Sequence, residues 1–127
     1  MSEKYKIMYI EYKGGVAALE AIIGKIITSK TGKTLRYKDK EFQSLKGVGF
    51  KANYYDIETG ERYWISGCRK DGNDGLYNIK IFVDEDIRRE YWEKIRGLPD
   101  HKNQASFTSR GKHRVGRQDL KNKTGNL

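Results

Sequence analysis

At 127 residues the chain has length for one domain with a modest core plus a tail, and its 36% apolar content excludes a large core. A net charge of +9 favours acidic partners, nucleic acid foremost, with solubility as the plainer reading. The lone Cys68 excludes an intrachain disulfide, no apolar run approaches the ~20 residues of a membrane helix, and the first residues lack a signal peptide's apolar stretch, so a cytoplasmic protein with no membrane partner is expected.

Tyr5–Tyr12 alternates and is rich in Tyr and Ile, which predicts a strand ended by Lys13-Gly14-Gly15. Val16–Ile23 reads as a loop or one turn running into the next strand. Gly24–Ser29 and Thr34–Lys38 form a predicted hairpin around Lys30-Thr31-Gly32, with Ile27 opposite Leu35 and Thr28 opposite Thr34. Lys38-Asp39-Lys40 is a tight turn, Glu41–Leu45 a short strand, and Lys46-Gly47-Val48-Gly49 a break.

Lys51–Gly67 reads as the central hairpin, closed by Glu58-Thr59-Gly60 with Gly60 left-handed. With Ile57 facing Glu61, Tyr55 meets Tyr63 and Asn53 meets Ile65 on one face. Asp56 then meets Arg62, and Tyr54 meets Trp64, on the other. Cys68–Gly75 is a polar loop and Ile79–Val83 an apolar strand. Asp84 is a candidate N-cap for a helix to about Arg96, with Ile87, Tyr91, Ile95 and Trp92 on its apolar face and Gly97-Leu98-Pro99 as its stop. Residues 100–127 carry seven Lys/Arg and two Asp, with almost no aliphatics, and read as a basic, disordered tail.

The expected fold is mainly β with one C-terminal helix (α+β). It is a small bent antiparallel sheet over residues 1–99, with an SH3-like barrel favoured over a flatter sheet.

Four stretches together carry a resemblance: Ser29-Lys30-Thr31-Gly32-Lys33-Thr34-Leu35, Phe42-Gln43-Ser44-Leu45-Lys46-Gly47, Gly49–Gly72, and Asp84-Glu85-Asp86 leading to Glu90-Tyr91-Trp92. Over roughly residues 4–98 the chain resembles a family of small bacterial proteins of unknown function, whose members often carry the misassigned name 1-deoxy-D-xylulose-5-phosphate synthase. It departs from the family pattern at Gly75, where an arginine is usual, and in Val16–Ala21, where a Gly/Pro-containing loop is usual. The resemblance implies one domain and supplies no catalytic residues. The synthase name does not transfer, because Gly72-Asn73-Asp74-Gly75 lacks the Gly-Asp-Gly start of a thiamine diphosphate motif and the chain is far too short.

No catalytic, metal or cofactor set stands out. Cys68 has basic neighbours, Arg69 and Lys70, that would activate a thiol, but both histidines, His101 and His113, lie in the tail. Asp71, Asp74, Asp84, Glu85 and Asp86 lack EF-hand spacing, and Gly47-Val48-Gly49 lacks the frame of a phosphate loop. The functional expectation is a non-enzymatic nucleic-acid-associated module. Its candidate contacts are Lys51, Tyr54, Arg62, Trp64, Arg69 and Lys70 on the domain, and Arg110, Lys112, Arg114 and Arg117 in the tail. In the competing reading the helix covers the Tyr54–Trp64 face through Trp92 and Tyr91. A protein partner bound through a sheet edge or the tail is the alternative function.

Overall fold

The computed structural model describes residues 4–13, 20–46, 52–75 and 78–110. Its strands are β1 (Tyr5–Tyr12), β2 (Glu20–Thr28), β3 (Thr34–Tyr37), β4 (Lys40–Ser44), β5 (Tyr54–Asp56), β6 (Arg62–Gly67), β7 (Ile79–Val83) and β8 (Ser106–Ser109). They run in the order β1-β6-β5-β4-β3-β2-β7-β8, and β1 also pairs with β2. That pairing closes β1 to β6 into a six-stranded antiparallel barrel, so the flatter sheet is not adopted.

Two apolar cores result. Ile10, Ile26, Leu35, Tyr37, Phe42 and Ile65 fill the barrel, with Met8, Ile22, Tyr54 and Tyr63 against them. The second core lies outside, where Tyr9, Ala21 and Ile23 meet Ile79, Ile81, Val83, Ile87, Tyr91 and Trp92. β1 and β2 are therefore covered on both faces, which is why both carry apolar residues at consecutive positions. β3 has one face in water and alternates: Leu35 and Tyr37 are buried, Arg36 exposed.

β2 changes partner along its length. Glu20–Ile23 pair in parallel with β7, and Ile27–Thr28 pair with β3 on the same side. The fork is pinned by Tyr37, whose hydroxyl donates to Asp84 Oδ2 at 2.5 Å, and by Asp84 N–H donating to the Ile23 carbonyl. Only glycine fits at Gly24, where a Cβ would lie 2.6 Å from the Tyr37 ring.

Asp84 thus begins the helical run through its backbone while its carboxylate serves the fork, and it makes no side-chain cap. The run passes through three pitches: a 3-10 turn Glu85–Ile87, an α turn Arg88–Glu90 and a π turn Tyr91–Ile95. Ile87, Tyr91 and Trp92 are buried and Ile95 partly so, as the apolar spacing predicts. The wide π turn lets the adjacent Tyr91 and Trp92 both face the core.

Three expectations are corrected. Both hairpins are shifted by one residue: Thr28 faces Leu35 and Ile27 faces Arg36, while Tyr54 faces Tyr63 and Tyr55 faces Arg62. The loops hold four residues, not three, because Ser29 N–H closes on the Thr34 carbonyl and Asp56 N–H on the Glu61 carbonyl. The shift turns Tyr54 and Asp56 inward and leaves Ile57 48% exposed. Asn53 still meets Ile65, through its side-chain amide, which bonds both backbone groups of Ile65 at 2.8 Å. Second, β2 starts at Glu20, earlier than the glycine at 24. Third, the fold does not stop at residue 99. Pro99–His101 form a 3-10 turn, Trp92 Nε1 donates to the Gln104 carbonyl, and β8 pairs with β7 with Phe107 in the outer core. The expected disorder of the rest of the tail concerns residues 111–127, outside the described residues.

Candidate nucleic-acid interface

The aromatic half of the expected surface does not assemble. The Tyr54 ring packs inside the barrel, and its hydroxyl donates to the Gly32 carbonyl at 3.1 Å. Trp64 faces outward but packs against the outer core, so the two aromatics do not share a face. Arg62 is exposed at the start of β6, beside the end of β1. Lys51, Lys112, Arg114 and Arg117 lie outside the described residues.

Part of the basic half does assemble, on the loop after β6. Arg110 N–H donates to Asn73 Oδ1 at 3.1 Å, which brings the start of the basic tail against the loop that carries Arg69 and Lys70. The loop is braced from behind by Arg96. Its guanidinium lies 4.9–6.0 Å over the rings of Phe107, Trp92 and Tyr91 and donates to the Lys70 carbonyl. Gly72 has φ +77 and leaves room for that guanidinium, where a Cβ would collide. Arg69 is committed to a two-pronged bond with Asp71, 3.0 Å on each arm. That guanidinium, helped by the Asn73 N–H, holds the Asp71 carboxyl far below the usual range. Lys70 and Arg110 are the exposed cations here with no carboxylate partner among the described residues.

A larger basic surface lies at one end of the barrel. Neighbouring barrel strands are antiparallel, so successive connections alternate between its ends. The start of β1, the Lys30–Lys33 turn, and residues 45–46 and 52–53 share one end. Lys4, Lys6, Lys30, Lys33 and Lys46 are exposed there, and residues 4–6, 28–34, 43–46 and 52–54 include no Asp or Glu. The other end, at residues 11–13, 20–21, 37–41 and 55–62, holds Glu11, Glu20, Asp39, Glu41, Asp56, Glu58 and Glu61 against Lys13, Lys38, Lys40 and Arg62. An open depression of about 240 Å³ beside that end is lined by Arg36, Lys38, Asp39, Glu41, Ile57 and Glu58.

The lysine end is held rigidly. Gly32 takes φ +77 and donates to the Ser29 carbonyl, Ser29 Oγ accepts from Thr34 N–H, and the Tyr54 hydroxyl ties the turn to β5. Lys46 is left-handed at φ +57, a conformation that costs a side-chain-bearing residue ~1–2 kcal/mol. It is braced by its N–H bond to Ser44 Oγ. Sequence reasoning passed over Lys4, Lys6, Lys30, Lys33 and Lys46 because their grouping depends on strand order, although the alternation of hairpin ends carries that signal.

Cys68 packs in the outer core, where burial pushes its thiol pKa far up and its Sγ contacts the Ile7 carbonyl at 3.5 Å, a setting unlike that of a nucleophile. The acidic residues weighed for a metal are dispersed: Asp71 on Arg69, Asp74 accepting from Arg69 N–H, and Asp84 on Tyr37. No helix among the described residues is long and apolar enough to cross a membrane. No family model, curated protein or solved structure matches the chain.

Proposed function

We propose that this protein is a non-enzymatic nucleic-acid-associated module that grips the phosphate backbone through the lysine end of its barrel, an SH3-like scaffold in this reading. One observation carries the proposal: five exposed lysines on three neighbouring segments whose described residues include no Asp or Glu, opposite an end rich in acids. Lys70 and Arg110, at the exit of the tail, extend the basic surface. The resemblance to the small bacterial family fits this reading, as do a cytoplasmic location and a cysteine kept buried and reduced.

Mobility shift with single- and double-stranded DNA and RNA at ~50 and ~200 mM salt tests the proposal. Affinity should fall steeply with salt. Replacing both Lys30 and Lys33 by Glu should lower the slope of log affinity against log salt by about 1.8 for duplex DNA or about 1.4 for single strands, from the counterions no longer released. Absence of any shift at the lower salt would overturn it.

One observation favours a protein partner instead: among the described residues β8 is the outer strand of the sheet, and the strand it pairs with there is β7. A partner strand added there would be lost in Thr108→Pro and unaffected by the lysine substitutions.

A further inference from the structure

The lysine end has a neighbour of another chemical kind. Among the described residues, Tyr5 is the one Tyr, Trp or Phe that is exposed, at 43%. It sits between Lys4 and Lys6 in sequence and on the opposite face of β1, since the alternation that sends Met8 and Ile10 into the barrel turns Tyr5 outward. Its ring is fixed at two points: the hydroxyl donates to Glu90 Oε1 at 2.8 Å, and Lys25 Nζ lies 5.4 Å from the ring centroid. A ring so held loses little freedom when a flat group stacks on it; of the charges beside it, Lys25 attracts a phosphate and Glu90 opposes it.

Resting on the function proposed above, we infer that Tyr5 is a base-stacking platform and that the module prefers single-stranded nucleic acid to duplex. Duplex bases are already stacked on each other and offer no free face at this site, whereas every unpaired base does. Stacking on one ring accepts any base, so the preference is for strandedness rather than sequence.

The test measures fluorescence anisotropy of the full chain with ~20-nucleotide oligo-dT, oligo-U and a mixed duplex of the same length. Tyr5→Ala should weaken single-strand binding by about 5-fold to about 160-fold, the range of one stacked base. Its duplex affinity and salt slope should stay unchanged. Tyr5→Phe keeps the ring, gives up the Glu90 bond, and should retain most of the affinity. Thermal melting of both variants should stay within a few degrees of the parent, because what is given up is one exposed bond to Glu90 and the contact with Lys25. Tighter duplex binding, an equal loss on both substrates in Tyr5→Ala, or the same loss in Tyr5→Phe would overturn the stacking role and leave the lysine end intact. No binding of any substrate by the parent would overturn both.

Discussion

The two ends of the barrel reuse one Thr-Gly pair between like charges, Lys30-Thr31-Gly32-Lys33 at one and Glu58-Thr59-Gly60-Glu61 at the other, set one position later in the second loop, so that Gly32 N–H bonds the Ser29 carbonyl three residues back and Gly60 N–H the Asp56 carbonyl four back. In both, the glycine is left-handed, at φ +77 and +80, and the threonine hydroxyl accepts an N–H from two residues on. The backbone requires only the Thr-Gly pair; the flanking charges are not fixed by folding. Lysines at one end and glutamates at the other are therefore a surface choice that the turn itself leaves open. What differs mechanically is the brace. Ser29 Oγ supports the lysine turn, whereas a buried carboxylate, Asp56, accepts the N–H groups of Glu58 and Thr59.

The largest expected effect sits away from both ends and calibrates them. Ile87→Ala opens the outer core and should cost ~2–5 kcal/mol by urea denaturation, with the fold lost from both ends together. Next comes the acidic turn. Asp56→Ala strands two N–H groups and should cost ~1–3 kcal/mol. Burial alone would raise the Asp56 pKa, but the Glu58 and Thr59 N–H groups and Lys40 outweigh it and hold the carboxyl below its ordinary value. A folded pKa below the unfolded one means the stabilisation is complete above about pH 4 and fades as the pH falls through the folded value. The gap between parent and Asp56→Ala should thus narrow in urea titrations at about pH 3, and a constant gap would contradict the bracing role. Smaller again, Tyr54→Phe removes one bond to the lysine turn and should cost ~0.5–1.5 kcal/mol with no dependence on acid pH. The smallest change in stability is expected for Lys46→Gly. Relief of the left-handed strain and the added chain entropy nearly cancel, leaving the variant within ~1 kcal/mol of the parent. Its salt slope should still drop by about 0.9 on duplex DNA, which would separate the residue's charge from its part in folding.

Much of the fold was legible. The Tyr5–Tyr12 strand falls where its alternation put it and Ile79–Val83 where its apolar run did, and Gly32 and Gly60 take the left-handed conformation their turns require. Register was not. A left-handed glycine marks where a hairpin bends, but not which pair of residues closes it. At the second hairpin the closing pair is set by the Asp56 side chain capturing the next N–H groups. One residue of slip exchanges the faces, which is why Tyr54 was placed outside and Ile57 inside. β8 was missed because Ser-Phe-Thr-Ser has one apolar residue, and its strand character comes from β7 and from Phe107 packing on Tyr91 and Trp92. On the candidate site, the sequence found Arg69, Lys70 and Arg110 as neighbours in chemistry, and the loop bond to Asn73 makes them neighbours in space. The lysine end needed the strand order, a property of the whole chain rather than of any window along it.

The fork in β2 has a consequence in time. The barrel is complete once Gly67 exists, whereas the outer layer needs the chain as far as Ser109. Roughly 40 residues separate the two, so at ribosomal rates of ~5–20 residues per second the young barrel waits about 2–8 s for its cover. Throughout that wait Ile7, Tyr9, Ala21 and Ile23 form an apolar stripe facing water, next to a strand whose edge β7 has not yet taken. A chain arrested at Gly67 should bind the dye ANS where the full-length protein does not; failure to do so would mean that the barrel cannot close before its outer layer arrives. Birth, on this account, is when the molecule is most exposed to a chaperone or to another copy of itself.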